Sequence, residues 1–329
     1  MIGRGRNAER SIAVTMRYGR VPGIDKPLSR LVQGTEGHTL ARQAELEDLF
    51  DGVFELGCNT FDTAFVYGGG QSESVLGGWI DRRGLRDRVV VIDKGAHPRQ
   101  GRPRVTPADI ASDLATSLER LRTDYVDLYL LHRDDPSVEV GPIVEALNAH
   151  REAGRIRAFG GSNWTAARVR AANEYAAAHG LTGFAASSPH LSLAVPREVP
   201  WPGCVSLSGP AGEADRRWYA ETGMPLLIWS SLAGGFLTGR YRPDNLQTFQ
   251  DPIEKLVIGS YCTDENFRRL DRIEHMAGRL GLTAPQVALA WLFRQPLNLF
   301  ALVGCRTAAE CRENLAALAV AATLPDGLD

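Results

Sequence analysis

The sequence holds few cysteines, and those few form no pattern. Cys58, Cys204, Cys262, Cys305 and Cys311 are scattered, odd in number and free of any C-x-x-C pair. That spacing excludes a disulfide framework and a zinc knuckle, and it suits a reducing compartment, so a cytoplasmic location is expected. An excess of one charge is missing too: 37 Lys and Arg face 39 Asp and Glu, for a net charge of −2. Such a balance offers no basic stripe for nucleic acid or for an anionic membrane surface. No apolar run reaches the ~20 residues that a membrane span needs. The opening MIGRGRNAERSIAV is basic but lacks an apolar core, so it is not read as a secretory signal. Tandem repeats and low-complexity tracts are absent. So is a G-x-G-x-x-G after the first apolar run, where an open dinucleotide-binding sheet would carry one.

What remains is a regular alternation of short β-rich runs and longer helical segments. The chain has 329 residues, 44% of them hydrophobic, enough for one large α/β domain. Strands are predicted at 28–34, 58–64, 88–94, 125–132, 155–162, 183–188, 225–231 and 299–304. Runs such as VVVI and LYLL are apolar throughout, as expected of parallel strands covered on both faces. Thr106-Pro107 and Thr283-Ala284-Pro285 are helix starts, with a capping hydroxyl followed by proline in the first turn. Eight βα units without a dinucleotide loop predict a closed (β/α)8 barrel, a single domain over 17–322. A 1–16 extension and a 323–329 tail flank it. Two stretches, 194–212 and 232–262, break the rhythm and are expected to be functional loops on the C-terminal face.

In such barrels chemistry sits where strands end. Asp62 follows the apolar start of the second strand, Lys94 ends the third and His132 ends the fourth. Tyr67 lies five residues past Asp62, in the loop FVYGGGQSES. Singly, each has an ordinary explanation: a helix cap, a snorkelling lysine, a loop-bonded imidazole, a packing aromatic. Together they fall on one rim. A free tyrosine titrates near 10, and an adjacent ammonium lowers that value. Lys94 is expected in that part, with Asp62 holding it and His132 orienting a carbonyl oxygen. The site suits hydride delivery to an aldehyde or ketone, and the hydride has to come from an organic cofactor. A metal-dependent barrel needs several carboxylate or imidazole ligands, yet the last four strands end in Ser, Ser, Ser and Gly.

NTFDTAFVYGGGQSESVLGGW resembles the aldo-keto reductase signature around that family's catalytic Asp and Tyr. VVVIDKG and DLYLLH are similar to its lysine and histidine strands. FGGSNW resembles the motif whose Ser and Asn bind the nicotinamide carboxamide, here Ser162 and Asn163. LLIWSSLAGGFLTGRY implies Trp229 on the nicotinamide face, Ser230, Leu232 and Gly234 along the pyrophosphate, and Arg240 among the cofactor contacts. LVGCRTAAECRENLAAL implies Gly304, Arg306, Glu313 and Asn314 at the adenosine phosphate end, and VQGT supplies Gly34 and Thr35. The resemblance runs from about 17 to 320. It implies an NADPH-dependent carbonyl reductase, or a cofactor-binding regulatory subunit like the family's channel-associated branch.

Departures from the family pattern stand out. Ser188 replaces the usual Gln beside the carboxamide, with Leu191 in place of a following Tyr. Glu310 stands where Arg or Gln usually lies near the ribose 2′-phosphate. A carboxylate there repels that phosphate, and Arg306 is positioned to offset it, so NADH is an alternative. Phe65, His97, Trp164 and Trp201 are the candidate pocket residues, forming an aromatic wall for a sugar-like, polyketide-like or simple carbonyl. The expected partner is a small carbonyl or hydroxyl compound, and the chain is expected to be a monomer or homo-oligomer.

Overall fold

The computed structural model describes residues 15–328; most of the expected N-terminal extension lies outside the described residues. A small antiparallel hairpin comes first, β1 (Tyr18–Gly19) and β2 (Leu28–Ser29). The sequence reading runs β2 into the first barrel strand. In the structure Arg30 separates them, its guanidinium turned to Asn298 Oδ1 and the Leu299 carbonyl, both at 2.7 Å.

Eight parallel strands then form a closed barrel. They are β3 (Leu31–Gly34), β4 (Thr60–Asp62), β5 (Val90–Gly95), β6 (Val126–Leu131), β7 (Ile156–Ser162), β8 (Ala186–Ser188), β9 (Leu226–Ile228) and β10 (Leu299–Val303). Each pairs with its neighbour in sequence, and β10 closes on β3. Around them lie α1 (Gln43–Glu55), α2 (Gln71–Arg83), α3 (Pro107–Leu121), α4 (Val140–Glu152), α5 (Ala166–Ala178) and α6 (Glu213–Thr222). Between β9 and β10 come α7 (Pro252–Tyr261), α8 (Asp264–Leu280) and α9 (Ala284–Arg294), and α10 (Ala308–Val320) follows β10.

Both proline-marked helix starts form as their chemistry dictates. Thr106 caps α3 by accepting from the Asp109 N–H, and Thr283 with Gln286 makes a reciprocal capping box on α9. One expectation is corrected. The 232–262 stretch is not a plain loop, because Asp251 accepts from the Ile253 and Glu254 N–H groups and Pro252 opens α7. By contrast 194–212 is irregular, apart from a short 3-10 turn at Pro210–Gly212.

The core has two layers, as strand alternation requires. Inward residues Val32, Val90, Ile92, Leu128, Leu130, Ala158, Ala186, Leu227 and Phe300 fill the barrel, and Val21, Ile24 and Leu28 of the hairpin join them. Outward residues such as Phe61, Val91, Tyr129 and Phe159 meet the helices. Leu324 and Leu328, beyond α10, are buried in that outer layer.

Candidate active site

The inward series continues past the apolar filling and turns polar at one end. Val90 and Ile92 lead to Lys94, Leu128 and Leu130 to His132, and Ala158 and Gly160 to Ser162. In the same way Thr60 leads to Asp62, Ala186 to Ser188 and Leu227 to Trp229. A period of two thus delivers six polar or aromatic side chains to one mouth.

Asp62 is fixed from behind, since both the N–H and the hydroxyl of Thr35 donate to its carbonyl at 3.0 Å. Lys94 Nζ donates to Asp62 Oδ2 at 2.7 Å, to the Thr63 carbonyl at 3.0 Å and to Tyr67 Oη at 3.3 Å. The ammonium lies 4.7 Å from the Tyr67 ring centroid. Tyr67 comes in from the side on a turn whose Gly68, Gly69 and Gly70 all have left-handed φ, 56°, 65° and 94°, a run that other residues adopt only with strain. Arg120 of α3 anchors this turn, its Nη1 bridging the Phe65 carbonyl at 3.0 Å and Glu73 Oε2 at 2.8 Å. The His132 ring stands edge-on to Tyr67 at 5.7 Å, and its Nδ1 has no partner among the described residues.

Burial sets the protonation states. It raises the Tyr67 hydroxyl well above its ordinary value; Lys94 pulls the other way, while Asp62 and Glu36 add to the rise. The sequence argument expects a lowered phenol, and here desolvation outweighs the ammonium. Lys94 stays charged: burial lowers it, but Asp62 and Tyr67 together raise it above its usual range. His132 is pushed well below its ordinary value by burial first, then by Lys94, Arg133 and His97. The group is therefore a neutral phenol, an ammonium with its carboxylate, and a neutral imidazole.

Most of the expected cofactor residues lie at the ends of β7, β8, β9 and β10 or in the segments that follow them. Ser162 Oγ donates to the Ser188 carbonyl at 3.1 Å, while the buried Ser188 Oγ has no partner among the described residues. Asn163 is largely committed internally, accepting from Trp229 Nε1 at 3.2 Å and donating to Ser162 Oγ at 3.2 Å. Trp229 is half-buried, and after it Ser230, Ala233, Gly234, Gly235 and Gly239 all have left-handed φ. Leu232 is half-buried, and Arg240 is exposed and paired with Glu254. Gly34 pairs in register with Asp62, and nothing lies within 4 Å of where a Gly304 side chain would start. Arg306 is bound by Glu310 itself: the carboxylate accepts from its N–H at 2.8 Å, from Nε at 3.1 Å and from Nη2 at 2.8 Å. Glu313 is exposed, and Asn314 donates to Cys305 Sγ at 3.4 Å.

Three of the four predicted pocket residues lie at or beside the mouth. His97 packs on His132 at 4.9 Å, Trp201 leans on Trp229 at 5.9 Å, and half-buried Phe65 sits under Arg99 and Arg120. Trp164 does not belong with them. It is fully buried against Phe184 at 5.0 Å in the helix-facing core, in room left by Gly161, and presents no surface to the mouth. Sequence reasoning also overlooks His190. Its Nδ1 pairs with Ser206 Oγ at 2.8 Å, its Nε2 with Tyr261 Oη at 3.0 Å, and its ring packs against Trp229 at 4.9 Å. Its signal is the histidine two residues past the end of β8.

The aldo/keto reductase family model matches residues 31–326, so the chain belongs to the aldo/keto reductase family. It is by class an NAD(P)-dependent oxidoreductase. Aldo-keto reductase YhdN of Bacillus subtilis is 29% identical over 263 residues, 77% of this chain and 72% of that protein. A protein of Oryza sativa named "Probable voltage-gated potassium channel subunit beta" is 28% identical over 284 residues, 84% of this chain and 82% of its own. Among solved structures, the aldo-keto reductase of Klebsiella pneumoniae in complex with NADPH superposes with a TM-score of 0.66 at 25% identity. That match covers 92% of this chain and 88% of the other.

Proposed function

We propose that the chain reduces an aldehyde or ketone to an alcohol with NADPH, with Tyr67 as proton donor. The observation that carries this reading is Lys94 Nζ, 2.7 Å from Asp62 Oδ2 and 3.3 Å from Tyr67 Oη, with His132 facing the same phenol. The residues present fit the cofactor. Ser188 Oγ is a buried hydroxyl without a partner among the described residues, Trp229 offers a half-buried ring face, and Gly304 leaves open space at the end of β10. These residues, with Ser162, Ser230, Leu232, Gly234, Arg306 and Asn314, would hold the dinucleotide, and NADPH when bound supplies the hydride.

The chain's own part is protonic. His132, a neutral imidazole, donates to the carbonyl oxygen and places it beside Tyr67. Tyr67 gives its proton to the oxygen of the new alcohol. Lys94 stabilises the phenolate left behind, and Asp62 keeps the ammonium charged and aimed. The five unbridged thiols support a reducing, cytoplasmic setting. A regulatory role is the second reading, favoured by the name of the Oryza relative. Turnover separates the two: a panel of aldehydes and ketones with NADPH is expected to consume reduced nicotinamide. Tight nucleotide binding without consumption on any carbonyl would favour the regulatory role.

A further inference from the structure

Arg133 follows His132 directly, and its guanidinium has no acidic partner among the described residues. The residue is only 9% exposed. It donates from Nη1 to the His132 carbonyl at 2.9 Å and takes part in no salt bridge among the described residues. The two carboxylates that follow it are committed elsewhere. Asp134 accepts through Oδ2 from Arg168 Nε at 2.9 Å, its Oδ1 being buried without a partner among the described residues, and Asp135 Oδ1 accepts from the N–H and hydroxyl of Ser137 at 3.0 and 2.7 Å. Burying an unpaired cation is unfavourable. Nε and Nη2 are not among the buried atoms lacking a partner, so these donors are not sealed inside the protein.

The surroundings belong to the mouth. On one side stands His132, with His97 against it at 4.9 Å. On the other runs the loop that carries Trp201, where a side chain begun at Gly203 would lie 3.7 Å from Arg133 Cδ. Lys94 is already balanced by Asp62, and His97 and His132 are both held toward the neutral form by burial. Arg133 is thus a buried cation beside this mouth with no acidic partner among the described residues, while Glu36 is exposed nearer Tyr67.

We propose that Arg133 binds an anionic group on the substrate, so that the enzyme is tuned to carbonyl compounds bearing a carboxylate or a phosphate. The proposal rests on the reductase reading above. A fork with free N–H donors matches the paired oxygens of such an anion, and the anion's arrival supplies the charge partner that the fold withholds.

The test compares kcat/KM for succinic semialdehyde against its methyl ester, and for glyceraldehyde 3-phosphate against glyceraldehyde, in the wild type, Arg133→Lys and Arg133→Gln. The wild type is expected to favour one anionic member by on the order of tenfold to a hundredfold, and Arg133→Gln to lose that ratio. The favoured pair tells carboxylate from phosphate. Arg133→Lys, which keeps the charge without the fork, is expected to fall between and carries the test should the Gln variant not fold. A merely structural arginine would change both members of a pair alike. A wild type that treats acid and ester equally, or an unchanged ratio in both variants, overturns the proposal. Binding of succinate and inorganic phosphate to the NADPH-loaded protein, read by tryptophan fluorescence, gives a readout without turnover. If no carbonyl is reduced yet an anion binds in an Arg133-dependent way, the reductase reading fails while the anion site stands.

Discussion

Tyr67 shows how burial and a neighbouring charge compete at one residue. An ammonium 3.3 Å away stabilises a phenolate, yet removing the phenol from water penalises the same anion more strongly. The resting group is therefore the acid. Reduction consumes that acid and should hold its rate through the neutral range into mild alkali. The reverse oxidation needs the phenolate, so it should be slow at neutral pH and climb as pH rises. Profiles of kcat/KM in both directions check this, and a loss of reduction centred in the neutral range would contradict it. Glu310 sets a second residue-scale test. Its carboxylate occupies the N–H and guanidinium of Arg306, the residue expected to meet a 2′-phosphate. Glu310→Arg should raise the NADPH-over-NADH ratio of kcat/KM by on the order of tenfold, and an unchanged ratio would remove Glu310 from cofactor choice.

At the scale of elements, the barrel strands were legible because buried parallel strands read as apolar runs, and the site because their inward alternation ends in polar residues. The β1–β2 hairpin was not legible: two-residue strands have no period to detect. Trp164 was misplaced because spacing gives a residue's position past a strand but not the side to which its ring folds. The start of α7 was legible in Asp251-Pro252 yet lay inside a stretch read as a loop. His190 was hidden because its partners, Ser206 and Tyr261, come from distant loop and helix positions. Packing between α2 and α3 offers a test of the helical layer. A side chain at Gly77 would run into the Leu121 carbonyl, backbone that cannot rotate away. Gly77→Ala should destabilise the fold by about 1–3 kcal/mol through this overpacking. Denaturant unfolding measures it, and an unchanged midpoint would mean that the two helices separate freely.

For the whole molecule, buried imidazoles tie stability to pH. Unfolded histidines take up protons below about 6.5, whereas burial lowers His38 to about 4 and His190 to about 3. At these two rings acid therefore protonates the unfolded chain first, while buried Asp93, whose carboxyl burial raises, takes up its proton first in the folded chain and opposes the effect. The rings' contribution to stability is full above that window and falls as pH drops through it, by up to about 1.4 kcal/mol per pH unit for each ring. On going from neutral pH into the acid range, the wild type should lose more melting temperature than His38→Gln or His190→Gln, and an equal loss in all three would contradict the burial of these rings. At the mouth of the barrel, one phenol is the proposed source of the proton. The most direct measurement is single-turnover carbonyl reduction by Tyr67→Phe with NADPH bound. The rate should fall by on the order of a hundredfold to ten-thousandfold while nucleotide affinity is retained. A rate equal to that of the wild type would show that the proton comes from another group.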